Sequence, residues 1–371
     1  MNNKTTKIIF LTILFFGIFG MSETLQAATY YVDYVGGSAT AAGTATGTAW
    51  QYSPGDTRFA AACTGDCATT WTGAGSRLNP GDKVIFKGGV TYTGSLITIS
   101  WAGNADTTAG RIIFDGDSGT YVSRWGSGTE KAIIDGATTN GGFFVSGSKS
   151  YVTINSFEVK NGPTPRGSYL IGTGGVTHYL TVSNNTVHDV GNNAFTGGTY
   201  GGGCIGAENS DYVRFQNNLA YNCAYPIFFV ANDANGNSLE ISGNTVTDWA
   251  AWGITVAMAG SANLTNWNIF NNTVHDLVYF DRTSDPHNNY IWIYGNDENY
   301  GVTGINIYNN LLYMVFIFII ILYMGPLGMG ALLFTEATPA HMRMLVFKII
   351  YFLFGGQEHQ RLRWTRLLLP G

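Results

Sequence analysis

The stretch SNNTVHD at positions 183–189 returns almost unchanged as FNNTVHD at positions 270–276. Looser copies are found before, between and after these two: NSFEVKN at 155–161, QNNLAYN at 216–222, SGNTVTD at 242–248 and YNNLLY at 308–313. In the five clearer copies the aligned Asn is residue 185, 218, 244, 272 or 310, so the interval varies between 26 and 38 residues. An irregular period of this size indicates a solenoid, in which each copy is one coil and the loops between copies differ in length.

Hydrophobic and polar residues alternate in short stretches on both sides of the copies. Alternation with a period of two is typical of strands with one buried face. Each coil therefore contains at least two short strands separated by an Asn turn, and an Asn at the same turn of each coil can form a side-chain ladder along the axis. The stretches are Tyr179–Val182, Leu239–Ile241 and Ile305–Ile307 before the copies, and Pro226–Val230, Gly253–Val256 and Tyr290–Tyr294 after them.

These patterns predict an all-β chain whose central part, residues 79–313, is a parallel β-helix. Val187, Val246 and Val274 follow the Asn turn in three of the copies, and we expect them to be buried in one column. An antiparallel β-sandwich is the alternative architecture, but it gives no reason for one corner to repeat.

The composition excludes several classes of protein. Hydrophobic residues make up 45% of the 371-residue chain, which is too many for a disordered protein. The 49 Gly residues and the frequent Thr and Asn are weak helix formers and disfavour a helical protein. A net charge of −5 lacks the basic footprint of nucleic-acid-binding proteins, so we expect no nucleic-acid partner. This charge is compatible with a neutral or cationic partner or with a metal ion.

The repeats and the N-terminal part together resemble the secreted right-handed β-helix family that includes many pectate lyases and other polysaccharide-active proteins. The resemblance covers residues 28–313, and in it the segment Thr29–Asp33, a Gly/Thr-rich stretch and Asn79–Tyr92 begin the solenoid. It implies a right-handed parallel β-helix with an N-terminal cap and loop region at 28–78, because an uncapped end would expose core and strand edges. It also implies a polysaccharide partner.

Residues 1–27 have the pattern of a signal peptide. Lys4 and Lys7 precede an apolar run from Ile8 to about Gly20, and small residues follow at positions 27 and 28. This order of charged, apolar and cleavage regions is typical of exported proteins, so we expect a secreted or cell-surface protein. An uncleaved anchor helix is the alternative, although the run is shorter than the roughly 20 residues that a membrane span needs.

The four cysteines fit an oxidising compartment, in which disulfides form. Cys63 and Cys67 lie four residues apart in the sequence CTGDC, and we predict a disulfide between them. Buried free thiols are the alternative. Cys204 and Cys223 flank one copy of the repeat. No second Cys or His pair accompanies the first two cysteines, so the spacing does not indicate a zinc site.

The composition changes abruptly after Tyr313. Residues 314–334 are almost wholly apolar and residues 343–366 include five basic side chains, which at face value is a membrane anchor with a basic cytoplasmic flank. We favour a frameshift. When the last base of each codon is read with the first two of the next, positions 313–325 and 341–356 can each spell a segment containing Asn-Asn. The first of these lies only about ten codons after Asn310, so a further deletion or a short coil is also required.

Aligning the copies places chemically active side chains in columns. Asp248 and Asp276 belong to consecutive coils, so their backbones are expected to lie about 4.8 Å apart. Paired carboxylates at that spacing bind a cation or share a proton, which makes these two residues candidate calcium ligands. The alternative is turn chemistry, in which each Asp caps its own backbone. The two columns read Lys160, His188, Tyr221, Thr247, His275 and Asn161, Asp189, Asn222, Asp248, Asp276.

Residues 277–289 form the longest and most polar of the loops that follow this corner. Long loops on one side of a rigid solenoid carry binding grooves. Flat aromatic side chains near this corner are candidate platforms for sugar rings, with packing in the core or between coils as the alternative. The loop carries Asp281, Arg282, Asp285 and His287, and the aromatic candidates are Trp249, Trp252, Tyr279 and Trp292.

A lyase is one of the two reaction classes that this groove can serve. Elimination in a uronate polymer needs a base, which in lyases of the resembled fold is often Lys or Arg, and usually Ca²⁺ beside the carboxylate. Lys160 or Arg282 is then the candidate base. Asp248, Asp276 or Asp285 would bind the calcium.

A hydrolase is the other class, and it needs two carboxylates in acid and base roles. Asp281 and Asp285 are the candidates for these roles. His287 is either a further catalytic residue or an ordinary loop histidine. No complete motif of either class is present, so a non-catalytic glycan-binding or adhesion module and a structural spacer stay open. A membrane is a partner only if the apolar tail is genuine.

The frameshift hypothesis is tested by the coding DNA. Read in the alternate frame past Tyr313, the DNA is expected to continue with further β-helix coils. An early stop codon in that frame, or intact genes that end with the same apolar tail, would show that the tail is a genuine anchor.

Overall fold

The computed structural model describes residues 27–94, 96–126, 128–137, 141–162, 169–190, 202–231, 236–249, 251–258, 263–277, 289–295 and 302–313, and the backbone of 320–322 and 330–332. The chain divides into two compact units, Met1–Val315 and Phe316–Gly371. The described part of the second unit is an antiparallel pair of short strands, Ile320–Leu322 and Gly330–Leu332. Within the described residues, no helix is long and apolar enough to cross a membrane.

The first unit is a right-handed parallel β-helix, as the repeat predicts. After β1 (Thr29–Val32) the strands follow in sets of three, and each set is one coil. The coils are β2 Lys83–Phe86, β3 Thr91–Thr93, β4 Leu96–Ile99; β5 Ile112–Asp115, β6 Ala132–Asp135, β7 Gly142–Ser146; β8 Val152–Asn155, β9 Phe157–Gly162, β10 Tyr169–Gly174; β11 Leu180–Ser183, β12 Thr186–Val190, β13 Gly203–Glu208; β14 Arg214–Gln216, β15 Leu219–Cys223, β16 Tyr225–Ala231; β17 Leu239–Ser242, β18 Thr245–Trp249, β19 Trp252–Met258; β20 Leu264–Phe270, β21 Thr273–His275, β22 Asn289–Gly295; and the partial coil β23 Val302–Tyr308, β24 Leu311–Tyr313.

The first strand of each coil joins sheet 1, the second joins sheet 2 and the third joins sheet 3. Sheet 1 has nine strands, sheet 2 eight and sheet 3 seven, and all neighbours in these sheets are parallel. Every strand therefore pairs with its equivalents in the coils above and below. Side chains at equivalent positions form columns along the axis, about 4.8 Å apart.

The predicted valine column is confirmed. Val187 pairs with Ala220, Ala220 with Val246 and Val246 with Val274 in sheet 2. All four side chains are fully buried. Burial of one such valine contributes about 1.5–3 kcal/mol, so a column of them stabilises the interior over its whole length.

A ladder of buried Asn side chains runs beside the valines at the corner between sheets 1 and 2. The side-chain oxygen of Asn244 accepts from the backbone N–H of Asn218 (2.9 Å) and from its amide (3.0 Å). The Asn244 amide donates to the carbonyl of Phe215 (2.8 Å) and to Asn272 Oδ1 (2.9 Å). The same pattern joins Asn185 to Asn218 and Asn272 to Asn310, so the predicted Asn ladder is confirmed.

From β8 onward, the corners of the coils contain residues in the left-handed region, which side chains other than Gly, Asn and Asp rarely adopt. Between sheets 1 and 2 these are Ser156, Asn184, Asn217, Gly243, Asn271 and Asn309. Between sheets 2 and 3 they are Asn161, Asp189, Asn222, Asp248 and Asp276. Between sheet 3 and the next sheet 1 they are Tyr151, Tyr179, Tyr212, Ser238, Asn266 and Gly304.

The N-terminal segment covers the first coil. It supplies β1 to sheet 1 and then forms α1 (Thr57–Ala62) and α2 (Asp66–Gly73). Trp50 is fully buried there, with ring centroids 4.7 Å from Tyr30 and 5.0 Å from Phe59.

Both pairs of cysteines form disulfides. Cys63 is joined to Cys67, which confirms the predicted bond and rules out free thiols there. Cys204 of β13 is joined to Cys223 of β15, so the second disulfide ties two consecutive coils together.

The Asn ladder predicts a large loss of stability for Asn244→Ala. The change leaves the buried N–H and amide of Asn218 and the carbonyl of Phe215 without their partner, so we expect the free energy of unfolding to fall by about 2–5 kcal/mol in urea titrations. Asn268→Ala is the matched control, because that amide contacts only the Asn266 and Asn306 side chains near the surface. The control is expected to lose under about 1 kcal/mol. Equal losses in the two variants would contradict a structural role for the ladder.

Candidate functional site

The outer face of sheet 2 brings together the column that starts with Lys160. Lys160 pairs with His188, which pairs with Tyr221 of the next coil. The Lys160 ammonium lies 3.0 Å from Glu158 Oε1, and the same oxygen lies 3.4 Å from His188 Nε2. His188 Nδ1 lies 2.8 Å from Asp189 Oδ2. The four ionisable groups therefore form one connected cluster.

The charges in this cluster are largely satisfied by one another. Partial burial raises the pKa of Asp189, but hydrogen bonds from Asn222 and His188 outweigh it and bring the pKa below its ordinary value. Burial, followed by the charge of Asp189, raises the pKa of Tyr221. Lys160 is thus an ion-paired lysine whose ammonium is held by Glu158.

A second copy of the His arrangement shows which part of the cluster is structural. His275 Nδ1 lies 2.7 Å from Asp276 Oδ2, and its ring stacks on Tyr313 of the next coil with centroids 4.8 Å apart. His188 stacks on Tyr221 in the same way, at 4.5 Å. The column position of Lys160 is held by Thr247 in the coil before His275. The shared His, Asp and Tyr therefore support coil stacking.

Asp248 and Asp276, the candidate calcium ligands, occupy turn positions. Both have left-handed backbones, with φ of 48° and 53°. Asp248 is exposed, and Asp276 contacts the His275 ring. Within the part of the chain that the structure describes, no three or more His, Cys, Asp and Glu side chains come together to hold a metal ion. Both residues stand at left-handed corners between sheets 2 and 3, a backbone conformation that favours Asp and Asn.

The aromatic candidates separate into two environments. Trp249 is fully buried, and its indole N–H donates to the carbonyl of His275 (3.1 Å). Its ring has no face open to a sugar, so Trp249 is withdrawn as a substrate-binding residue. Trp252 and Trp292 lie on the outer face of sheet 3 and are half-buried.

These two tryptophans belong to a larger set of rings, which we call the aromatic belt. The ring centroids of Trp252 and Trp292 are 4.4 Å apart, and those of Trp292 and Tyr294 are 5.0 Å apart. On the other side, Trp252 lies 4.9 Å from Tyr225 and 6.5 Å from Phe228. The belt spans five coils, four of which carry rings, and consists of Tyr169, Tyr225, Phe228, Trp252, Trp292 and Tyr294.

Glycines let the belt lie flat at its upstream end. The ring centroids of Tyr169 and Phe228 are 6.0 Å apart, at an interplanar angle of 27°. Between them β13 presents Gly203 and Gly206, and a Cβ at either position would come within 2.4–2.5 Å of the Tyr169 ring. Only glycine at these two positions leaves room for the tyrosine to lie on the sheet.

The belt is almost without charge. Among the seven strands of sheet 3, Glu208 is the one residue with a side chain that is charged at neutral pH. Burial raises the pKa of its carboxyl group. The surface therefore presents ring faces, glycine backbone and a single carboxyl group.

Sequence reasoning identified two of the six belt residues. It missed Tyr169, Tyr225, Phe228 and Tyr294, although the last three lie in or beside stretches predicted to be strands. The sequence does contain a signal that could have found them, because aromatic residues of one column are separated by the length of a coil. Tyr225 precedes Trp252 by that length. The other candidates, Tyr279, Asp281, Arg282, Asp285 and His287, lie outside the described residues.

Comparisons with known proteins find likeness in solved structures alone. No family model and no curated protein matches the chain. A GH136 lacto-N-biosidase from Eubacterium ramulus is similar over 78% of this chain and 68% of its own, at 12% identity and a TM-score of 0.32. The pectate lyase Pel9A is similar over 78% of this chain and 80% of its own, at 17% identity and a TM-score of 0.32. Such low values leave the function to be argued from this chain's own residues.

The sheet 2 cluster predicts a pH-dependent effect of Asp189→Asn. Because the folded pKa of Asp189 is lowered, its charge stabilises the fold above the unfolded pKa of about 3.9, and this contribution is lost as pH falls through the folded pKa. The variant is expected to be less stable than the parent at pH 7, by about 1 kcal/mol or less after solvent screening. The difference should shrink below pH 4. Denaturant titrations at pH 7 and pH 3 measure it.

The matched control for this experiment is Asp248→Asn. It removes the same charge from an exposed carboxylate at the same corner, two coils further on. We expect it to change stability little at either pH. A pH-independent loss in Asp189→Asn would show that the charge on Asp189 does not stabilise the cluster.

Proposed function

We propose that this protein is an exported glycan-binding protein that holds a neutral polysaccharide along the aromatic belt. The observation that carries the proposal is the belt itself: six rings on one outer face, five of them half-buried or exposed. Sugar rings have apolar faces of C–H groups and polar edges of hydroxyls. Flat aromatic side chains bind the faces, and a few polar groups fix the edges.

The repeat of the solenoid suits a polymer better than a single sugar. Belt residues occur on β10 and on the three successive strands β16, β19 and β22, so ring faces are offered at several positions along the axis. A chain of sugars lying along that axis contacts several rings at once. Each contact is weak, and their linkage within one polymer raises the overall affinity.

The charge of the belt favours a neutral polymer over a polyuronate. A uronate chain carries a carboxylate on each sugar, and the sheet 3 strands offer it no Lys, Arg or His. Lys160, the candidate lyase base, lies on sheet 2 and is paired with Glu158. The candidate calcium ligands likewise lie at the corner of sheet 2. On sheet 3 itself, the described strands would offer a lyase or hydrolase one carboxyl group, that of Glu208.

Export is part of the proposal and rests on two supports. The first 27 residues have the order of charged, apolar and small residues that is typical of a signal peptide. Both disulfides, Cys63–Cys67 and Cys204–Cys223, are the kind of bond that persists in an oxidising compartment.

The proposal predicts that Trp292→Ala weakens binding to neutral polysaccharides by about tenfold or more, because loss of one central ring face costs on the order of 1.4 kcal/mol. Calorimetric titration with xylan, mixed-linkage β-glucan and galactomannan measures this for the full chain. Tyr308→Ala is the matched control, since it removes an exposed ring from sheet 1. It should leave the affinity unchanged.

Two further arms of the same experiment separate this proposal from a calcium-dependent lyase. Chelation with EDTA is expected to leave binding to the neutral polymers unchanged, and polygalacturonate is expected to bind weakly or not at all. Binding that prefers polygalacturonate, depends on calcium and ignores Trp292→Ala would overturn the proposal.

A further inference from the structure

A stack of three tyrosines stands on the corner between sheet 3 and sheet 1, away from the aromatic belt. The ring centroids of Tyr151 and Tyr179 are 4.5 Å apart at an interplanar angle of 15°. Those of Tyr179 and Tyr212 are 4.3 Å apart at 2°. The spacing is close to the rise of one coil, so each coil adds one ring to the stack.

The stack stops at Tyr212 because the next coil supplies a small residue. Tyr212 N–H donates to the carbonyl of Asn237 (2.9 Å), which places Ser238 at the following position of the column. Ser238 has the same left-handed backbone as the tyrosines, with φ of 58° for both Ser238 and Tyr212. The column then continues with Asn266. Tyr212 is left 42% exposed.

A depression of about 210 Å³ lies where the fourth ring would stand. Two coil rises, about 9.6 Å, separate Tyr212 from Asn266 in the column, which is enough for one flat ring between them. Its lining includes Tyr212, Arg214, Ser238, Glu240, Asn266 and Asn268.

The polar walls of this depression are held in place by their own hydrogen bonds. Arg214 donates to both carboxylate oxygens of Asp106 at 3.1 and 2.9 Å, and Asp106 also binds Arg111. Glu240 accepts from Gln216 at 2.8 Å.

On the opposite side Asn268 donates to Asn266 Oδ1 at 3.0 Å. The two Arg side chains balance the carboxylates of Asp106 and Glu240. The depression therefore offers fixed donors and acceptors without a net charge.

We propose that this depression is a second carbohydrate site, which takes one pyranose ring of a neutral sugar in place of the missing fourth tyrosine. The C–H face of the sugar stacks on the free face of Tyr212. Its hydroxyls exchange hydrogen bonds with Arg214, Glu240 and Asn268. An apolar ring of the same size would exclude water from the remaining donors and acceptors of these groups without replacing its hydrogen bonds, so the walls favour a polyol.

The test is to fill the site with the chain's own side chain. Ser238→Tyr extends the stack by one ring, and three tyrosines already occupy this left-handed position, so the variant is expected to fold. Saturation-transfer NMR with methyl β-D-glucopyranoside, methyl β-D-galactopyranoside and methyl β-D-xylopyranoside detects binding. We expect transfer to at least one glycoside in the parent and in Trp292→Ala, which lacks the central ring of the belt. In the Trp292→Ala background, Ser238→Tyr is expected to reduce this transfer at least tenfold, with a melting temperature that is unchanged or higher.

A second variant keeps the test decisive if Ser238→Tyr fails to fold. Tyr212→Asn removes the ring and installs a residue suited to a left-handed corner. It is expected to lose the same transfer. Trp292→Ala is the control that separates this site from the belt, and it should retain the transfer even if the proposed function fails.

Three outcomes would overturn the inference. The parent transfers saturation to none of the glycosides, the signal survives when a folded Ser238→Tyr or Tyr212→Asn variant is made in the Trp292→Ala background, or Trp292→Ala alone abolishes it. Indole is the competing probe: if it binds here and the glycosides do not, the site takes aromatic rings and the assignment to sugars is wrong.

Discussion

The Asn ladder is the interaction on which the rest of this solenoid depends. Asn218 is buried, yet both its side-chain oxygen and its amide are satisfied by the coils above and below. A shift of one coil by a single residue would remove these partners and leave several buried polar groups unpaired, at a cost of about 1–3 kcal/mol for each group. The ladder therefore fixes the register between coils, which side-chain burial alone fixes less strictly.

Because the register between coils is fixed, the side chains at each outward position form a column along the axis, with one side chain per coil. Loops between sheets 2 and 3 differ in length without disturbing it, because each coil is anchored again at its next Asn. The columns hold different chemistry: ion pairs and His–Tyr stacks on sheet 2, an uncharged set of rings on sheet 3, and tyrosines at the corner before sheet 1. Function on such a scaffold is decided by which side chains succeed one another along a column.

The sequence revealed the Asn ladder and the valine column because both follow from a local motif of seven residues. It left Trp249 open between a sugar platform and core packing, because alternation does not carry through the corner. Val246 points inward and Thr247 outward, so strict alternation would place Trp249 outside. Asp248 has a left-handed backbone, which shifts the phase by one residue and turns Trp249 into the core. Cys223 and Val190 follow left-handed corner residues in the same way and are also buried.

The belt and the tyrosine stack were harder to predict because their members lie in different coils, separated by loops of unequal length. Where consecutive coils all place a ring in a column, the rings stack on one another and cover each other's faces. Phe270 and Tyr308 do so, with centroids 5.0 Å apart. Where the next residue is small, a ring face is left to solvent, as Ser238 leaves the face of Tyr212. Exposed apolar surface of this kind costs free energy unless something covers it. Where a small residue interrupts a column of rings, one ring face is exposed beside polar groups that are already held in place. A solenoid of this type therefore gains the most free energy when a ligand ring binds at such an interruption.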